Sequence, residues 1–208
     1  PTINLLQTNK QYNAFFGAKG KISSAVSYNL TASYQSEKNK SLFISNPSKT
    51  DGTVVPSMSY ESGNSFGVVY DDVETLNVTA EFNIDLSKKF NFGISVEFND
   101  YTTTNQSEAW NLPTISSTLF AKYNTKKWYL GSDLYFVGER KDFVIPFVGI
   151  GEIKTLDSYI DLNFNGGYIF TDRLTAFAKI NNVLSDNYER YTNFEVQGIQ
   201  VLAGIIYK

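Results

Sequence analysis

The sequence predicts an all-β fold, a transmembrane antiparallel up-and-down β-barrel, and three observations predict it. Apolar and polar residues alternate with period two through nine separate segments of the 208-residue chain. The links between those segments alternate short and long. The faces opposite the apolar stripes favour Ser, Thr, Asn and Gly, whereas a soluble β-sandwich, the competing architecture, usually carries Lys and Glu there.

The first segment, Gln11 to Gly20, sets Tyr12, Ala14, Phe16 and Ala18 on one parity. The second, Ser24 to Ser36, sets Val26, Tyr28, Leu30, Ala32 and Tyr34 against Ser27, Asn29, Thr31, Ser33 and Gln35. A long polar segment from Glu37 to Gly63 follows. The third strand, Phe66 to Leu86, is expected to bend or break at Asp71-Asp72, and its second half opposes Leu76, Val78, Ala80, Phe82 and Ile84 to polar neighbours. Past Ser87-Lys88-Lys89, the fourth strand carries Phe90, Phe92, Ile94, Val96 and Phe98 on one face.

After a loop from Thr102 to Pro113, the fifth strand carries Ile115, Leu119, Ala121 and Tyr123. Thr125-Lys126-Lys127 turns it into the sixth, with Trp128, Leu130, Leu134 and Phe136. A long loop from Gly138 to Leu156 precedes the seventh, with Ile160, Leu162, Phe164, Tyr168 and Phe170. Thr171-Asp172 leads to the eighth, with Leu174, Ala176, Ala178 and Ile180. Val183 to Gly198 is the last loop, and Ile199 to Lys208 the ninth strand.

In a meander, alternate links lie at one end, so every short turn falls on one side and every long loop on the other. Outer-membrane barrels have this asymmetry, with short periplasmic turns and long external loops. The apolar segments match the roughly 9 to 11 residues that cross a bilayer at a tilt. Aromatic residues sit near strand ends at Phe90, Tyr123, Trp128, Phe170 and Tyr207, where interfacial girdles lie.

Composition removes other classes. With 42% hydrophobic residues dispersed in alternation, no run approaches the ~20 residues of a membrane helix. A net charge of -3 from 18 basic and 21 acidic residues leaves no basic stripe, so no nucleic-acid partner is expected. Cysteine and histidine are absent, which removes thiolate metal sites, disulfides and the commonest general base. No enzyme activity, metal or cofactor is expected. Pro1-Thr2-Ile3-Asn4 does not begin a signal peptide.

The segment Phe177-Ala178-Lys179-Ile180-Asn181-Asn182-Val183-Leu184-Ser185-Asp186-Asn187-Tyr188, followed by Gly198 and a final strand with Gly204 and Tyr207, resembles the end of TonB-dependent outer-membrane receptors, particularly the Bacteroidetes type. The family's terminal aromatic residue has no counterpart at Lys208. The resemblance implies a bacterial outer-membrane location and a 22-stranded barrel around a plug. It also implies uptake of a large nutrient such as a metal chelate, glycan or peptide, driven through TonB, with a surface lipoprotein as a further partner. Nine strands cannot supply such a barrel. Residues 1–208 are therefore expected to be its C-terminal segment without a plug, dependent on outer-membrane lipid and on further strands, or a barrel with a strand hidden in Pro1 to Lys10 or Glu37 to Gly63. A non-transporting anchor in an envelope complex and a small passive porin are the alternatives.

Lumen-lining candidates on the polar parity are Glu81, Glu97, Lys122, Asp133, Asp161 and Lys179, as a solute path or as cross-strand pairs that keep the interior polar. External-loop candidates are Trp110, Tyr188, Tyr191 and Phe194, as stacking surfaces or as packing within the loops. Gly63-Asn64-Ser65-Phe66-Gly67 matches a nucleophile elbow but has no histidine partner in the chain. Asp71, Asp72 and Glu74 could hold a cation, with a solvated strand bend as the plainer role. The sequons at Asn29 and Asn77 lie inside strands and are ascribed to composition.

Overall fold

A computed structural model describes residues 7–48, 66–146 and 151–208, and its regular structure is β throughout. In chain order the strands are β1 (Lys10–Lys21), β2 (Val26–Ser48), β3 (Phe66–Asp85), β4 (Phe90–Thr103), β5 (Ile115–Asn124), β6 (Trp128–Val137), β7 (Arg140–Pro146), β8 (Glu152–Leu156), β9 (Tyr159–Thr171), β10 (Leu174–Asn181), β11 (Glu189–Tyr191), β12 (Phe194–Glu195) and β13 (Gln200–Tyr207). The wall runs β1-β2-β3-β4-β5-β6-β9-β10-β13, every neighbour antiparallel. β1 and β13 are its edges.

Register decides what alternation along each strand achieves. Ala32 lies opposite Val78, Val78 opposite Phe98, and Phe98 opposite Ile115. Further round, Leu119 faces Leu134, Leu134 faces Leu162, and Ile180 faces Val201. Apolar parities therefore merge into one face across all nine strands, and the Ser, Thr and Asn parities merge into the other. A slip of one residue at any pairing would break both.

Among the described residues, none packs over the apolar face. Val201 is 70% exposed, Ile205 73% and Phe16 78%, while the buried hydrophobic side chains among the described residues are Leu42, Val73, Trp110 and Leu156, all toward the long-loop end. A sandwich would bury such a face against a second sheet. Here its complement is lipid, and the wall is a transmembrane one.

The four short turns share one device. Ser23, Ser87, Thr125 and Thr171 each open a turn, and each hydroxyl accepts a backbone N–H two residues on, from Ala25, Lys89, Lys127 and Arg173 at 3.2 Å. Ser87, Thr125 and Thr171 also accept the N–H three residues on. A hydroxyl at the first turn position satisfies donors that the ladder has released.

Three polar stretches expected as loops carry strands. β2 runs unbroken past Glu37 to Ser48, paired with the first part of β3 across a bulge between Glu37 and Lys40. The stretch from Gly138 to Leu156 holds the β7–β8 hairpin, and β7 adds to the extension of β2 in parallel. The last loop holds the small β11–β12 hairpin. Beyond the bilayer both faces of a strand meet water or other loops, so alternation fades there although the ladder continues.

β3 passes Asp71-Asp72 without a break. The Asp71 carboxylate accepts the backbone N–H groups of Asn105 (2.9 Å) and Gln106 (2.8 Å) and the Asn105 side-chain amide (2.8 Å), which ties the β4–β5 loop to the wall. Its oxygens are occupied by N–H donors. The Gly63-Asn64-Ser65-Phe66-Gly67 pattern falls largely outside the described residues, as do most of Pro1 to Lys10 and the latter part of Glu37 to Gly63.

Candidate functional site: a roofed polar pocket on the lumen face

On the polar face, β6 places Asp133 opposite Asn163 and Tyr135 opposite Asp161 of β9. β9 places Asn165 opposite Lys179 of β10, and Asn181 of β10 faces Gln200 of β13. Strands ~4.8 Å apart thus hold a grid of amides and charges. The grid lines a cavity of about 650 Å³, completed by Asn182, Tyr188, Arg190, Val196 and Gln197 of the last loop.

Four of the ten sequence candidates meet there: Asp133, Asp161, Lys179 and Tyr188. Asp161 accepts a hydrogen bond from the Tyr188 hydroxyl at 2.8 Å through Oδ2, while its Oδ1 is buried without a partner. The ion pairs among the described residues are Lys40–Glu37 and Lys154–Glu189, so two carboxylates and two cations surround the cavity without pairing to each other. The other lumen candidates lie elsewhere. Glu81 accepts from Asn29 at 2.7 Å, Glu97 accepts from Asn77 and Asn99, and Lys122 lies 4.9 Å over the Phe120 ring.

Two Asn182 features explain the Asn181-Asn182 motif. Asn182 adopts a left-handed φ of 49°, which asparagine tolerates, and it is 5% exposed. Its side-chain amide donates to the carbonyls of Asp186 (3.1 Å) and Gln197 (3.0 Å), and its N–H donates to Asn163 (3.1 Å). One residue closes both ends of the last loop onto the wall.

The roof is the β11–β12 hairpin, pinned to β7–β8. Arg140, 5% exposed, donates to the carbonyls of Glu189 and Arg190 at 2.9 Å, and its guanidinium lies 5.1 Å over the Tyr159 ring. Burial pushes it below its ordinary pKa. Tyr159 in turn stacks on Tyr188, with ring centroids 3.8 Å apart. Asp142, 1% exposed, accepts from Ser45 (3.0 Å), Asn111 (2.9 Å) and the Thr192 N–H (3.3 Å). Lys154 pairs with Glu189 at 2.7 Å.

The remaining aromatic candidates knit the loops. Phe66 stacks on Phe194 (4.5 Å) and meets Tyr191 edge-on (4.8 Å). Trp110 is 3% exposed, packed with Leu42 and Val73, and donates to Gln106 at 2.9 Å. Sequence reading did not single out Arg140, Asp142 or Arg190, and it named Asn182 only as part of the terminal motif. A charged pair two residues apart at Arg140 and Asp142, inside a stretch read as a loop, was the available signal.

Burial and the Asp161 hydrogen bond push the Tyr188 hydroxyl well above the ordinary tyrosine pKa. Because the closed loop binds that proton more tightly than the opened loop does, closure is fully favoured below ~10 and weakens as pH rises above it. Tyr188→Phe, which lacks the hydroxyl, is the control. Hydrogen exchange of the hairpin is expected to accelerate above pH ~10 in the native protein and less steeply in the variant; equal steepness would refute the assignment.

No protein-family model and no curated protein matches the sequence. Solved structures do. The pyoverdine outer membrane receptor FpvA from Pseudomonas aeruginosa PAO1, bound to pyoverdine, superposes with a TM-score of 0.71 at 16% identity, over 96% of this chain and 30% of that one. The siderophore receptor PirA from Acinetobacter baumannii gives 0.69 at 13% identity, over 96% and 32%. These are TonB-dependent outer-membrane receptors, transport proteins rather than enzymes. The wall has the fold of the TonB-dependent receptor barrel.

The copper transporter OprC repeats the match, with a TM-score of 0.69 at 13% identity over 96% of this chain and 31% of that one. The chain thus spans roughly three tenths of each TonB-dependent receptor barrel protein named here. The Bacteroidetes type rests on the sequence motif alone.

Proposed function

We propose that the chain is part of the wall of a receptor in the bacterial outer membrane that imports a large solute by TonB-dependent uptake, the solute passing the pocket beneath the β11–β12 roof. The observation that carries this is the pocket itself: a cavity of about 650 Å³ on the water-facing side of a membrane wall, with Asp133, Asp161, Lys179 and Arg190 all unpaired to one another. Charges that serve only to hold a wall together find partners across strands, as Glu81 and Glu97 do with asparagines.

Solved proteins of this fold include a receptor bound to pyoverdine and a copper transporter, which supports uptake as the activity. For this chain a metal chelate, a glycan or a peptide would each meet complementary groups in the pocket. The partners are outer-membrane lipid, the remaining strands and plug, TonB, and a surface lipoprotein that delivers the solute. Residues 1–208 contribute barrel wall and no plug.

Growth on single nutrient sources tests this. A strain lacking the intact protein and a strain lacking TonB are expected to fail on the same nutrient, and Asp133→Ala/Lys179→Ala is expected to reduce its uptake severalfold. An intact barrel whose removal never reproduces a TonB-dependent defect would refute uptake and favour an anchoring role.

A further inference from the structure

We propose that the short-turn rim of the wall carries a binding site for an anionic phospholipid, its phosphate held by Lys89, Lys126 and Lys127 and one acyl chain lying in a groove on the outer face. The site rests on the wall being membrane-spanning but not on what the barrel transports.

Pairing of β4 with β5 sets Phe90 opposite Tyr123 and brings two turns side by side, joined by the Asn124 N–H to the Lys89 carbonyl at 2.8 Å. One turn is Ser87-Lys88-Lys89 and the other Thr125-Lys126-Lys127. Between them lies a hollow of about 520 Å³, lined by Lys89, Thr125, Lys126, Lys127, Trp128 and Tyr168. Both ion pairs among the described residues lie at the opposite end of the wall, so no carboxylate neutralises these lysines at ion-pair distance. Crowding several ammonium groups in one hollow is unfavourable unless an anion joins them.

Immediately beyond, on the apolar face, lies a groove of about 570 Å³. Its floor is made by small residues, Ala121, Gly166 and Ala178, and its sides by Tyr123, Leu130 and Ile180. Phe92 lies opposite Ala121 and Leu130 opposite Gly166, so the small residues leave a local deficit of side-chain volume beside larger ones. The Tyr123 and Trp128 rings, 5.1 Å apart, form the step between hollow and groove.

A cationic hollow with two aromatic rings at headgroup depth, leading into an apolar trough of acyl-chain width, matches an amphipathic molecule with an anionic head. Free phosphate would use the lysines and leave the groove empty. An uncharged lipid would use the groove and leave the lysines unneutralised.

The test uses the intact protein inserted into vesicles of phosphatidylcholine with one fifth phosphatidylglycerol, then extracted in mild detergent for measurement of retained lipid by mass spectrometry. The native protein is expected to retain phosphatidylglycerol over phosphatidylcholine. Lys89→Gln/Lys126→Gln/Lys127→Gln is expected to lower that preference by about tenfold or more. Ala178→Leu, which fills the groove and leaves the lysines untouched, is expected to lower retention severalfold. A native protein without preference, a lysine variant equal to native, or an Ala178→Leu variant that retains lipid as native does would each overturn the proposal. Flotation with the vesicles is read in parallel: a native protein that fails to float refutes the membrane wall itself, whereas one that floats without lipid preference refutes this site alone.

Discussion

Arginine at Val96 is expected to destabilise the barrel by ~2–4 kcal/mol, whereas arginine one residue earlier, at Ser95, is expected to change it by less than ~1 kcal/mol. Val96 lies opposite Ala80 and Ser117 in mid-strand on the apolar face, where a guanidinium would meet hydrocarbon. Ser95 lies opposite Glu81 and Thr118 on the polar face, where the same group would meet water and a carboxylate. Urea unfolding of the intact protein in vesicles measures both. Equal costs at the two positions would mean that the apolar face does not contact lipid.

Asp142→Ala is expected to release the roof while leaving the wall folded. The substitution strands three donors, from Ser45, Asn111 and Thr192, in a site where Asp142 is 1% exposed. Hydrogen bonds to a charged group contribute ~1.5–3 kcal/mol each in favourable cases, and water entry will recover part of the loss. A net cost of about 3 kcal/mol is expected, which is about a hundredfold in the loop-opening equilibrium. Trypsin reports it directly, because the Arg190 carbonyl is held by the Arg140 guanidinium at 2.9 Å in the closed roof. Cleavage after Arg190 should accelerate about a hundredfold in the variant, and Asp142→Asn, which keeps an acceptor, should fall between. An unchanged rate would show that the hairpin is held without Asp142.

Both experiments separate two levels of organisation with different legibility. Wall strands could be read because their constraint is local: a strand with lipid on one side and water on the other must alternate at period two, and each residue declares its side. The turns were legible for the same reason, since Ser87 and Thr125 act on residues two and three positions away. Loop strands escaped detection. Ser45 and Asp142 meet across 97 residues, and nothing within either segment encodes the other.

The candidate site shows the same division. Asp133, Asp161 and Lys179 were recoverable as charges on the polar parity, but so were Glu81, Glu97 and Lys122, which lie outside the pocket. Parity assigns a face and not a height or a neighbour. Convergence depends on the register of β6, β9, β10 and β13 and on the path of the last loop above them.

What the sequence by itself determined is the sidedness of this protein: nine stripes, short turns at one end, long connections at the other, and an aromatic level at Phe90, Tyr123 and Trp128. What only the tertiary structure decided is how the long connections spend their residues, as an extension of β2, a β7–β8 hairpin added to it in parallel, and a β11–β12 roof pinned by Arg140 and Asp142. The physical reason is the solvent. A bilayer imposes its two-sided pattern on every residue that crosses it, whereas contacts between loops in water are selected by particular pairs of side chains far apart in the chain.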